Sequence, residues 1–116
     1  MKYMLLMYAA ESVVPKMTPE EVQAIQQTWG TLLKDTQAAG VLVSTNGLSP
    51  IANATTVRVR DGKTLTTDGP FAETHEQLGG FFILDCKDLD EAIGWAARIP
   101  HASYGSVEIR PLWSAQ

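Results

Sequence analysis

Proton transfer and anion binding are the two chemistries that side chains of this sequence could support. Asp68 supplies a carboxylate, and His75 is the imidazole within local reach of it. A carboxylate at the mouth of a cleft, beside aromatic walls, gains proton affinity and can act as a proton acceptor. Asp68 is therefore the candidate catalytic acid or base, with His75 a weaker second. Asp68-Gly69-Pro70 nevertheless reads first as a turn. Asp bonds backbone two residues on, Gly takes unusual dihedrals and Pro fixes the exit. His75 lies among Glu73, Thr74, Glu76 and Gln77, a polar stretch that suits an exposed ring. His101, in the loop after the second helix, is weaker still.

Guanidinium forks match a carboxylate with two parallel hydrogen bonds, so Arg60 or Arg110 can anchor a small anionic or polar ligand. The plainer reading of Arg58, Arg60, Glu108 and Arg110 is the solvated or ion-paired side of strands. Tyr3 and Phe81 are the aromatic candidates for the pocket wall. Gly79-Gly80 leads into a strand, not a helix, so it is no phosphate loop; close backbone approach or a bulge explains it. Trp29 reads as core, and Cys86 as a small buried hydrophobe. His75 and His101 are too few and too separated for a metal site, and no cofactor is implied.

These side chains sit on 116 residues, enough for one domain spanning 1–116. A hydrophobic content of 45% excludes disorder. The net charge is −4 and Lys and Arg are nowhere clustered, which argues against direct nucleic-acid binding. A single cysteine, Cys86, rules out an intramolecular disulfide and fits a reducing cytoplasm. The apolar start is short and meets Glu11, so it reads as a strand and not a signal peptide. No run reaches the ~18 apolar residues of a membrane span.

Residues 2–8 are apolar on both alternating sets, as are 79–86, the pattern of strands covered on both faces. Thr18-Pro19-Glu20-Glu21 opens a helix with a capping box, and Val22, Ile25, Trp29, Leu32 and Leu33 follow at helical spacing. Gly40 ends it in a left-handed conformation. Residues 41–45 give a strand. Thr56 to Arg60 and Lys63 to Thr67 flank an Asp61-Gly62 hairpin turn, and a loop covers 68–77. Asp88 starts a second helix whose stripe is Leu89, Ala92, Ile93, Ala96 and Ala97, stopped by Pro100. A last strand runs from Ser106 to Leu112.

That order, with the hairpin set aside, is the α+β ferredoxin-like split βαβ arrangement, which places the two doubly apolar strands centrally. Two helices cover one face of such a sheet. Four strands leave roughly 400 Å² of projected area on the other. Soluble monomers seldom expose so large an apolar patch, and a twofold copy is the simplest cover. The competing reading folds the hairpin, or the tail from Trp113, over that face.

Asp68-Gly69-Pro70-Phe71, then Ala72-Glu73-Thr74 and Glu76 to Phe81, resembles the Asp-Gly-Pro-Phe (DGPF) proteins of the YCII-related family. The resemblance extends to Lys2–Leu6, Thr56–Lys63 and Gly105–Pro111. It implies a ferredoxin-like subunit that pairs into a dimeric α+β barrel. Some relatives are described as possible enzymes with a His–Asp pair. Asp68 matches that aspartate, whereas the relatives' histidine near the first helix has no counterpart here, and relatives commonly carry lysine where His75 stands. Relatives also often accompany extracytoplasmic-function sigma factors. The expectation is a cytoplasmic homodimeric small-molecule-binding or accessory domain, with its pocket bordered by Tyr3, Asp68 and Phe81. The alternatives are a cofactor-independent enzyme using Asp68 as base and Arg60 as anchor, and a protein partner in a sigma-factor pathway.

Overall fold

In the computed structural model, which describes residues 1–114, β1 (Lys2–Ala9) leads to α1 (Pro19–Ala38) and β2 (Leu42–Gly47). A hairpin of β3 (Thr55–Arg60) and β4 (Lys63–Asp68) precedes β5 (Gln77–Asp85). Then come α2 (Leu89–Ala96), the short α3 (His101–Tyr104) and β6 (Ser106–Pro111). The protein is α+β. Its four-stranded antiparallel sheet runs β2-β5-β1-β6 and does not close into a barrel, and the hairpin is a separate two-stranded sheet.

The doubly apolar strands take the two central places, side by side and flanked by β2 and β6. Their register sets Leu5 against Phe82 and Leu6 against Phe81. Tyr3, Leu5 and Met7 of β1, with Phe82 and Leu84 of β5, are buried beneath Leu32, Ala92, Ala96 and Ile99 from the helical layer. The alternate set, Met4, Leu6, Tyr8, Phe81 and Ile83, faces away and is half-buried.

Local chemistry fixes the helix starts. The Glu21 amide donates to Thr18 Oγ1 and the Thr18 amide to Glu21 Oε1, both at 3.1 Å, so two orphan donors are satisfied reciprocally. Asp88 accepts from the Glu91 amide at 2.9 Å and starts α2. Gly40 stands at φ +72° just past α1, as its position after the last helical turn demands. Two further glycines are set by packing. A Cβ on Gly80 would lie 2.6 Å from the Asn46 carbonyl oxygen, and one on Gly105 would run into the Tyr8 carbonyl.

Several expectations need correction. Val57 and Val59 alternate with arginines along β3, yet both are exposed, at 59% and 57%. In α2 only Ala92 and Ala96 are buried, while Leu89, Ile93 and Ala97 are exposed. The helix is eight residues long and reaches the sheet along a narrow stripe. Pro100 does not merely stop it but caps α3, with the Ala102 amide donating to the Ile99 carbonyl at 2.9 Å. His101 is thus helical and not in a loop.

Candidate functional site

A buried Ile99-Pro100 pair anchors the entry to α3, and the Gly105 amide closes its turn on the His101 carbonyl at 2.7 Å. This short turn carries the His101 ring beneath one end of the sheet. There Trp29 of α1 meets it edge-on, with ring centroids 5.9 Å apart, and Tyr104 packs at 5.3 Å. Trp29 in turn stacks nearly parallel on Phe82, also at 5.9 Å. Offset rings at such separations attract through their quadrupoles in addition to burying area.

The rings of Trp29, Phe82 and His101 wall a cleft of about 360 Å³ between α1, the Gly47 end of β2, the Gly79 end of β5, and α3. Met7 and Leu33 add apolar surface, and Thr45, Asn46 and Gly47 form the polar lip. A second cavity of about 430 Å³ shares Gly79 and His101 and opens outward past Glu11, Leu48 and Gln77. Glu11 is occupied there: one carboxylate oxygen accepts from the Ile51 amide at 2.9 Å. The volume of the inner cleft suits a small ligand.

Electrostatically the cleft is unusual in having a titratable group and no charge. His101 Nδ1 is buried without a hydrogen-bond partner. Burial pushes the imidazole pKa below its ordinary value of 6.5, since the cation would lose hydration and gain no counter-ion. The unfolded chain binds this proton more readily, so the stabilisation is complete above about pH 6.5 and is lost as pH falls through the folded-state value. Urea midpoints are expected to fall between neutral pH and pH ~5 in the wild type, and to fall less in His101→Gln. An equal fall in both contradicts the buried neutral ring.

Tyr3 faces the helical layer, buried, and its hydroxyl donates to Met1 Sδ at 3.4 Å. Phe81 lies on the opposite face, so the two aromatics do not share a pocket. Asp68 is exposed at the end of β4 opposite Thr55, and lines neither cavity that holds His101. Its motif ties off the hairpin: Gly69, at φ +95°, donates to the Ala54 carbonyl at 2.7 Å and accepts from Thr56 Oγ1 at 2.8 Å. His75 is exposed on the loop beyond. Arg60, exposed on the hairpin, donates to its neighbour's carbonyl, that of Val59, at 3.0 Å. Arg110 lies opposite Met4 on the uncovered face of the sheet, exposed. Cys86 is buried, and burial followed by the nearby Glu91 carboxylate raises its thiol pKa, which keeps it unreactive.

His101 and Trp29 are what sequence reasoning passed over. The signal was the apolar bracket around a lone histidine, with Ile99-Pro100 before it and Tyr104 after it. Among the described residues no helix is long and apolar enough to cross a membrane, and no group of three or more His, Cys, Asp or Glu is placed to hold a metal ion.

Comparison with known proteins agrees with the Asp-Gly-Pro-Phe resemblance. The YCII-related domain matches residues 1–116. An uncharacterized protein of Rhizobium meliloti (strain 1021) is 40% identical over 114 residues, covering 97% of this chain and 92% of its own length. On both grounds, the chain belongs to the YCII-related family.

Proposed function

We propose that the protein is a small-molecule-binding homodimer of ferredoxin-like subunits, each holding its ligand in the His101 cleft. The observation that carries the binding reading is a half-buried imidazole, with one nitrogen unpartnered, set in an aromatic-walled cleft. The ring's Nδ1 is sealed in the protein, which leaves Nε2, beside Gly79 of the cleft lining, as the nitrogen a ligand can reach. This favours binding at His101 over acid–base catalysis centred on Asp68, whose carboxylate is exposed outside the cleft.

The strand order β2-β5-β1-β6 is the one a split βαβ chain produces, which supports the ferredoxin-like reading. For the dimer, the support lies in the uncovered face. Its cross-strand rows run Asn46–Phe81–Leu6–Glu108 and Ser44–Ile83–Met4–Arg110, apolar at the centre and polar at both edges. Interfaces have this anatomy of apolar core and polar rim. Among the described residues neither internal cover is in place: the hairpin is exposed along nearly its whole length, and Trp113 is 89% exposed. The chain is a slab of 49 × 47 × 18 Å with a radius of gyration of 16.4 Å. A chain of about this length packed only on itself would be near 13 Å. A second copy across the sheet supplies the missing layer, and a lone buried thiol suits the cytoplasm.

The site is tested by screening labelled protein with small aromatic fragments. Amide shifts centred on Gly47, Gly79 and His101 are expected. Shifts clustered around Asp68, or none at the cleft, overturn the assignment.

A further inference from the structure

Resting on the cleft assigned above, we propose that its ligand is an uncharged aromatic molecule bearing a hydrogen-bond acceptor, held by the Nε2–H of a neutral His101. A neutral imidazole has one donor nitrogen and one acceptor nitrogen. Nδ1 is the buried nitrogen without a partner. An orphaned N–H is worse tolerated in a protein interior than an orphaned lone pair, so the proton belongs on Nε2. Nε2 lies over Gly79, where an added Cβ would stand 3.5 Å from it. Gly79 lines both cavities with His101, and its missing side chain leaves that side of the ring open to them.

The same geometry disfavours a charged partner. Protonating the ring would put a second N–H on Nδ1 with nothing to receive it, so the histidine offers no positive charge to an anion. Among the described residues no Asp, Glu, Lys or Arg lines the inner cleft. Glu11 borders the outer cavity, where one of its carboxylate oxygens is held by the Ile51 amide. Thr45 donates its hydroxyl proton to the Phe81 carbonyl at 2.9 Å, so it offers the cleft no donor. Trp29, Phe82, Met7 and Leu33 present apolar and aromatic surface, against which a flat ring packs favourably. The anionic ligand expected for Arg60 and Arg110 has no counterpart at this site.

Three probes of one size separate the possibilities: benzamide, benzoate and toluene, titrated into labelled protein at neutral pH. Benzamide is expected to shift Gly79 and His101 and to bind about tenfold more tightly than benzoate or toluene. Gly79→Ala places its Cβ at ordinary contact distance, caps Nε2, and is expected to weaken benzamide about fivefold. Benzoate binding more tightly than benzamide, or toluene binding equally, overturns the ligand class alone. Silence of all three at the cleft overturns the site assignment itself. Should the variant lose its fold, the wild-type probe series decides by itself.

Discussion

Exchanging two open-face residues for glutamate, Leu6→Glu with Phe81→Glu, is expected to yield a folded monomer. The two side chains are cross-strand partners at the centre of the uncovered face, half-buried and pointing away from the core. In a twofold assembly the double variant removes four apolar side chains from the interface and sets four carboxylates together. Like charges brought into a drying interface lose hydration without gaining partners. The lost apolar burial alone, at about 25 cal/mol per Å², supports a rise in the dissociation constant of about 1,000-fold. The subunit itself keeps its fold, because Leu5, Met7, Phe82 and Leu84 on the other face are untouched. Sedimentation at micromolar concentration reads the outcome. A variant that keeps the wild-type mass places any self-association elsewhere.

Phe82→Ala is expected to cost about 3–5 kcal/mol of folding stability. The ring is 1% exposed, pairs with Leu5 in the centre of the sheet, and is among the largest fully buried side chains. Removing it leaves a void that the β-sheet backbone cannot collapse to fill, and Trp29 loses the partner it stacks on. Phe82→Leu retains most of the volume and is expected to recover most of the stability, but not the wild-type fluorescence of Trp29. Urea unfolding of the three proteins decides it; a cost below about 1 kcal/mol for the alanine variant contradicts the central place given to this ring.

Local rules were written legibly. Thr18 and Glu21 spell a capping box because both partners lie within one turn, and both bonds form. Asp61-Gly62 spells a hairpin turn, and both residues take positive φ, 52° and 72°. The two doubly apolar strands announced the sheet centre, and β1 and β5 take it. What could not be read depends on which distant parts meet. Val57 and Val59 alternate with arginines along β3, but burial requires something to pack on them, and both are exposed. Tyr3 and Phe81 looked like two walls of one pocket. Their assignment to opposite faces follows from the Leu6–Phe81 register, which no single strand encodes. Asp68 was drawn forward by its motif, and the bonds around Gly69 give that motif a structural task.

His101 illustrates the limit most sharply. Its environment is assembled from Trp29 on α1, Gly79 on β5 and Tyr104 on α3, three segments separated by most of the chain. Sequence supplies each piece but not their meeting. Gly79 reads as a strand glycine with backbone freedom, and only the fold reveals that its bare α-carbon lies beneath an imidazole nitrogen.

The chain holds two histidines, His75 and His101, so nitrogen-labelled imidazole spectra recorded against pH, with His101→Gln for assignment, follow the ring directly. The His101 ring is expected to titrate below its ordinary value of 6.5, and in the neutral form to carry its proton on Nε2. A His101 that titrates in the ordinary range, or that carries its proton on Nδ1, would show that the ring is not walled in as an uncharged donor, and the cleft would lose its claim to be the site.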